Sequence, residues 1–202
     1  HAGLIVSNPN IAIVELVANS WDAGADLVQI RWPDSVNGQL TIEDNGTGMT
    51  FEEFSERWLE LSYNRVEAQG DDVVFPLVNR TSKRKAFGRN GKGRHSMFCF
   101  SDEYRVETWR NGIANVFAVT RQYREFPFQV KPLEEFEKEG SGTIISGDLL
   151  YHHIPINDLA SLIASKFIAD PSFEILINDT KVELTDLREL SETQELQVED
   201  LG

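Results

Sequence analysis

Apolar residues first fall into a helical rhythm. Ile11, Val14, Leu16, Val17, Ala18 and Trp21 crowd a segment that Asn8 can cap, Pro9 can start and Gly24 can end. The period then shortens to two. LVQIRW (27–32) and QLTIED (39–44) alternate as strands do, and a Pro/Asp/Asn/Gly turn joins them. Helical spacing returns over 51–62 behind Thr50 as a cap, and all periodicity is lost from Tyr63 to Phe87. The pattern next predicts a short helix over 94–100 and a hairpin over 103–123 that turns at Asn111-Gly112. A strand over 142–150, a helix over 156–168 and a second hairpin (173–179 with 181–184) follow. Past about Asp186 the chain is polar and acidic. Helices interleaved with hairpins predict an α+β sandwich built on a largely antiparallel sheet rather than a doubly wound fold.

Composition narrows this picture. A chain of 202 residues, 41% hydrophobic with 12 Phe and 4 Trp, suits one large domain, or one domain with an appendage, around a real core. No apolar stretch approaches the roughly 18 residues a membrane helix needs, so no membrane association is expected. The lone cysteine, Cys99, excludes an internal disulfide and fits a reducing, cytoplasmic compartment. Cys99 and Phe98 are most simply core residues.

The net charge of −14 argues against a generally nucleic-acid-binding surface. The charge is unevenly spread, however. Arg80, Lys83, Arg84, Lys85, Arg89, Lys92 and Arg94 place 7 of the 19 basic residues in one 15-residue window without a carboxylate. This is either a solvated loop beside acidic faces or a place where an anion binds, with nucleic acid through 80–94 as one version of the second reading.

Three short motifs carry candidate chemistry. On the first helix Glu15, Asn19 and Asp22 recur at i, i+4 and i+7 as one polar stripe through apolar surroundings. Such a stripe either faces water or is paired with a ligand, because burying a carboxylate and an amide without partners is costly. In EDNGTGM (43–49), Asp44 ends a strand, and Gly46 and Gly48 permit close backbone approach. A carboxylate fixed there can accept a hydrogen bond from an exocyclic amine such as adenine's; the alternative is a tight turn. In AFGRNGKGRHSMFCF (86–100), Gly88, Gly91 and Gly93 precede a helix, whose free N–H groups and dipole favour an anion. The alternative is a flexible hinge.

Taken together and in this order, the motifs resemble the GHKL ATPase superfamily of DNA gyrase, heat-shock-ninety-type chaperones, histidine kinases, MutL and MORC proteins. The matching residues are Glu15-x-x-x-Asn19 with Asp22-Ala23, Asp44-x-Gly46-x-Gly48-Met49, Gly88-x-x-Gly91-x-Gly93, and Gly142-Thr143 at a strand start. The resemblance implies a two-layer Bergerat fold over 1–186, with helices on one face of a mixed sheet, an ATP lid at about 63–93, and an acidic linker or the start of a following domain over 187–202. It implies that Asp44, supported by Thr143, recognises adenine, that Gly48 and Met49 line the base pocket, and that Asn19 ligates magnesium. Asp22 and Gly46 belong to the same site, Gly88, Gly91 and Gly93 cradle the phosphates, and Glu15 is the general base for water. Lys92 and Arg94 either contact phosphate or are solvated loop residues. Ser96 is a further candidate for the phosphate site, and His95 is a helix-start residue rather than a catalytic one.

The implied activity is magnesium-dependent ATP hydrolysis in a switch module of a larger protein, with ATP ordering the lid and promoting homodimerisation. Several members of the superfamily also use a lysine from a following domain, so weak turnover by the isolated domain is expected. Two alternatives stay open: a histidine kinase catalytic domain, and a module that binds nucleotide without turning it over.

Overall fold

A computed structural model describes residues 6–59, 70, 72–76, 84–87, 92–122, 127–167 and 170–183. Helix α1 (Pro9–Asp22) starts as its sequence predicts, with the Asn8 side chain accepting from the N–H groups of Asn10 and Ile11. Strands β1 (Leu27–Arg31) and β2 (Gln39–Asp44) pair antiparallel. Helix α2 (Phe51–Leu59) opens with a reciprocal cap: Glu53 N–H donates to Thr50 Oγ1, and Thr50 N–H donates to a Glu53 carboxylate oxygen.

The segment Lys92–Cys99 is a 3-10 helix that begins two residues before the expected helix. Residues 93–100 are all buried, and at 8 residues the 3-10 run is uncommonly long. The hairpin of β3 (Glu103–Arg110) and β4 (Ile113–Arg121) turns at Asn111 and Gly112, both at positive φ. Strand β6 (Gly142–Asp148), helix α3 (Ile156–Phe167), and strands β7 (Glu174–Ile177) and β8 (Thr180–Lys181) complete the expected elements.

One strand was not legible in the hydrophobic pattern. Strand β5 (Phe128–Glu137) pairs antiparallel with β4, although it carries Pro132 and is exposed over most of its length. It is an edge strand, so neither face need be buried and proline's missing N–H is tolerated. A register shift opposite Val116 and Phe117 and a run of charged residues protect that edge from further pairing.

The strands form one sheet in the order β5-β4-β3-β6-β2-β1-β7-β8, with β1 and β7 parallel and the other neighbours antiparallel. Alternation sorts each strand into two faces. Val28, Ile30, Leu40, Ile42, Ile145, Tyr104, Val106, Phe117, Ile175 and Ile177 lie on the covered face. Helix α2 stacks Phe54 on Phe117 at 3.9 Å between ring centroids, and Trp21 of α1 meets Phe167 of α3. This is the helix-on-sheet α+β sandwich that the sequence predicts.

Basic residue Arg84 departs from the reading of its cluster as loop or anion surface. It is only 3% exposed. Its guanidinium lies over the rings of Trp21 (4.4 Å), Phe75 (5.0 Å) and Phe173 (5.1 Å), donating from Nε to Asp170 at 3.0 Å and from Nη1 to the Ala25 carbonyl at 2.6 Å. Arg84 is therefore a structural cation. It ties 84–87 to the end of α1 and the entry to β7, helped by Trp21 Nε1–H donating to the Lys85 carbonyl and Phe87 N–H to Asp22 Oδ1. Replacing Arg84 by Ala is expected to destabilise the fold by about 3 kcal/mol, because Asp170 and the Ala25 carbonyl lose a buried donor. Arg84→Lys should recover little, since the planar fork and its stacking are lost. Urea unfolding of the three proteins checks this; a wild-type midpoint for Arg84→Ala would refute it.

Candidate functional site

Helix α1 is the element on which the motifs converge. Its neighbours at Ala12, Ile13, Leu16, Val17 and Ala18 are buried, so packing fixes the helix rotation and with it the polar stripe. Near its C-terminal end Ser20 Oγ donates to Asp44 Oδ2 at 2.9 Å, and the Ala23 carbonyl accepts from Thr47 N–H at 2.8 Å. Farther back, Glu15 packs on Gly93, where a Cβ would come within 2.2 Å of the Glu15 carboxylate. The stripe is thus neither fully solvated nor buried outright: Glu15, Asn19 and Asp22 are all partly covered.

Asp44 sits at the end of β2, 8% exposed. Its Oδ1 accepts from Gly46 N–H at 2.9 Å, and the backbone of Thr143 also hydrogen-bonds it. Burial is the largest influence and pushes its pKa up to about 6; the bonds from Gly46, Ser20 and Thr143 act the other way. Thr143 is its cross-strand partner on β6, and Thr108 on β3 is the partner of Thr143. All three therefore stand side by side on the covered face.

The glycines of the second motif approach protein rather than empty space. Gly48, at φ +59°, lies against the Trp109 carbonyl, which an added Cβ would meet at 2.1 Å. This draws the 45–50 loop onto the β3–β6 rim and leaves Met49 N–H donating to Thr108 Oγ1 at 2.9 Å.

Glu15 is pushed above the usual carboxylate range, first by burial and then by the Asp22 charge. One turn on, Asn19 Nδ2 is buried without a hydrogen-bond partner among the described residues. Rotating the amide brings Oδ1 to the same place, so the side chain suits a small hard cation that takes one protein oxygen and its other ligands from phosphate and water. Ser96 is fully buried, and its Oγ is likewise without a partner among the described residues. Asp22 Oδ1 accepts from Phe87 N–H at 2.7 Å, which makes it a tether for 84–87.

Arg94 is buried, not solvated, and its Nε faces His95 Nε2 at 3.4 Å. His95 is a core residue among Trp58, Phe98 and Phe128, held neutral by burial and by Arg94 with a pKa near 3. Phe98 and Cys99 are buried core, as expected. Lys85 pairs with Asp72 at 2.7 Å in the open, a contact worth little by itself. Gly88, Gly91, Arg80, Lys83, Arg89, the Lys92 side chain, most of 63–93 and all of 187–202 lie outside the described residues.

Two site residues were not singled out from sequence. Ser20 neighbours Asn19 in the chain, but its bond to Asp44 requires knowing which side of α1 meets β2. Thr108 becomes visible only through the strand register that sets it beside Thr143.

A helix layer over one face of a mixed sheet, with a buried carboxylate at a strand end and a Glu/Asn pair on the covering helix, defines a Bergerat-type nucleotide-binding domain. The chain belongs to the GHKL ATPase superfamily: residues 6–143 match the family of histidine kinase-, DNA gyrase B- and HSP90-like ATPases. It is 24% identical over 155 residues to the DNA mismatch repair protein MutL of Chlamydia abortus, covering 77% of this chain and 24% of that protein. A MutL of Petrotoga mobilis is 43% identical over 96 residues (48% and 14%). The chaperone protein HtpG of Chlorobium phaeobacteroides is 28% identical over 176 residues (70% and 25%). The chain thus spans about a quarter or less of the length of these relatives. Among the described residues no helix is long and apolar enough to cross a membrane.

Proposed function

We propose that the domain binds and hydrolyses ATP with magnesium, as the switch module of a larger protein. The observation that carries this reading is the convergence on α1: the helix that bears Glu15 and Asn19 also braces Asp44 through Ser20 and meets Gly93. Asp44 accepts from the adenine amino group, with Thr143 beside it, and Gly48 and Met49 form the adjoining wall. Asn19 supplies an oxygen to magnesium, whose charge offsets that of the phosphates. Gly88, Gly91, Gly93 and the backbone that follows them cradle the phosphates, with Lys92, Arg94 and Ser96 in the same stretch. Glu15 orients the attacking water and takes its proton; phosphoryl transfer asks little more of a protein than such positioning and charge neutralisation.

In the whole protein, ATP orders 63–93 over the site, starting from the anchorage that Asp22, Trp21 and Arg84 provide, and promotes pairing of two copies. Its relatives' names, a mismatch repair protein and a chaperone, support a role in which nucleotide state drives work on a larger client. The burial of Arg84 and Arg94 lends no support to nucleic-acid contact through those two members of the 80–94 cluster.

The test is ATP labelled in its terminal phosphate. Label released as free phosphate, only with magnesium present, is the expected result. Label on protein would favour the histidine kinase reading, and bound but intact ATP the binding-only one.

A further inference from the structure

Thr108 has no place in the site as read from the sequence, yet it forms a hydrogen-bond node behind the proposed base pocket. It is fully buried in the middle of β3. Its single hydroxyl meets three groups from two segments: Met49 N–H of the 45–50 loop at 2.9 Å, and, at the start of β6, the Gly142 carbonyl at 3.2 Å and Thr143 Oγ1 at 3.3 Å. A threonine hydroxyl has one proton and two lone pairs. The Met49 N–H can only donate, so it takes one lone pair. The Gly142 carbonyl can only accept, so it takes the proton. What is left for Thr143 is the second lone pair, and the Thr143 hydroxyl must therefore donate to Thr108. With its proton committed backwards, Thr143 can offer only lone pairs elsewhere.

Asp44, the cross-strand neighbour of Thr143, is also surrounded by donors: Ser20 Oγ–H, Gly46 N–H and the Thr143 backbone. Once ionised, its two oxygens accept and cannot donate. The exposed edges of Asp44 and Thr143 then form a wall of acceptors across β2 and β6.

We propose that Thr108 is a positioning residue that turns the Thr143 hydroxyl into an acceptor and so makes the site select a 6-amino over a 6-oxo purine. This rests on the reading of the site as an ATP site. A 6-amino group meets the wall with two N–H donors, whereas the 6-oxo oxygen of inosine brings an acceptor against acceptors and loses its hydration without replacement, leaving only its N1–H to donate. Thr108→Val keeps the shape and removes the node. The Thr143 proton is then free to turn toward the base and serve a 6-oxo group. Thr108→Ser keeps the hydroxyl and should keep the selectivity.

The experiment measures equilibrium affinities of the intact domain for ATP, inosine triphosphate (6-oxo) and purine riboside triphosphate (no substituent at position 6), with melting curves of each variant. Wild type should bind ATP more tightly than either of the others, which lack the 6-amino donors. Thr108→Val should shrink the ATP-to-inosine ratio by roughly tenfold, and Thr108→Ser should restore it. A merely structural role would weaken all three nucleotides alike and leave the ratio unmoved, which would overturn the inference. If Thr108→Val does not fold, the wild-type ranking decides: inosine triphosphate bound as tightly as ATP means that the wall does not reject a 6-oxo group, and the inference fails. Tight ATP binding with no discrimination refutes the inference alone. A wild-type protein that binds none of the three overturns the ATP reading and the inference together.

Discussion

Glu15→Gln is expected to lower ATP turnover by about a hundredfold to ten-thousandfold while leaving ATP affinity within a few fold. Glutamine matches glutamate in shape, so packing against Gly93 survives and only the capacity to take a proton is lost. Affinity should hold because the contacts assigned to base and phosphate lie on Asp44, Thr143, Asn19 and the glycine segment. The wild-type rate should also carry an acid limb. Burial and the Asp22 charge keep Glu15 protonated above the usual carboxylate range, so turnover rises with pH as Glu15 loses its proton. Rates at saturating magnesium-ATP across the pH range, with affinities from displacement of a fluorescent nucleotide, check both points. Turnover above a tenth of wild type in Glu15→Gln would remove this residue from the general-base role.

Asp44→Asn should separate stability from binding. The Asp44 carboxyl titrates at about 6 in the folded protein, against an ordinary value of 3.8. Between those two values the native state holds a proton that the unfolded chain has already released. Stability therefore falls as pH rises through this window, and the full penalty, about 3 kcal/mol, stands above pH 6. Asparagine cannot ionise; its oxygen can still accept from Gly46 N–H, and its amide can donate to Ser20 Oγ. The unliganded variant should accordingly be as stable as wild type at pH 7.5, or more stable by about 1 to 3 kcal/mol. ATP affinity should fall about a hundredfold or more, because an acceptor facing the base amine has been replaced in part by a donor.

His95 supplies a control of opposite sign. Its pKa is depressed from 6.5 to about 3, so the stability it contributes is lost as pH falls through that range. In wild type the two groups oppose each other between pH 6 and 4. In Asp44→Asn the His95 loss stands alone, and urea midpoints should drop more steeply on the acid side. An Asp44→Asn protein that is less stable at pH 7.5, or that binds ATP normally, would contradict this account of the carboxylate.

How much of this was legible beforehand varied from element to element. Helix α1 was legible because its cap, proline and glycine are local signals, and the Asn111-Gly112 hairpin because its turn chemistry is local too. Strand β5 was not, because an edge strand that needs no buried face leaves no alternating pattern, and Pro132 argues against a strand anywhere but at an edge. The basic run over 80–94 misled in part. Charge counted along the chain cannot reveal that the Arg84 guanidinium ends between aromatic rings and Asp170, or that Arg94 turns inward to His95.

By itself the sequence determined the succession of elements apart from β5, and the presence of Glu15, Asn19, Asp44 and the glycines at family spacing, since these follow from periodicity and short-range motifs. Tertiary structure decided which groups meet. Ser20 reaches Asp44, Gly93 fits against Glu15, and Thr108 stands behind Thr143 because strand register and helix rotation place residues that lie 24, 78 and 35 positions apart in the chain. Those contacts depend on the packing of the whole core, and no local stretch of sequence encodes them.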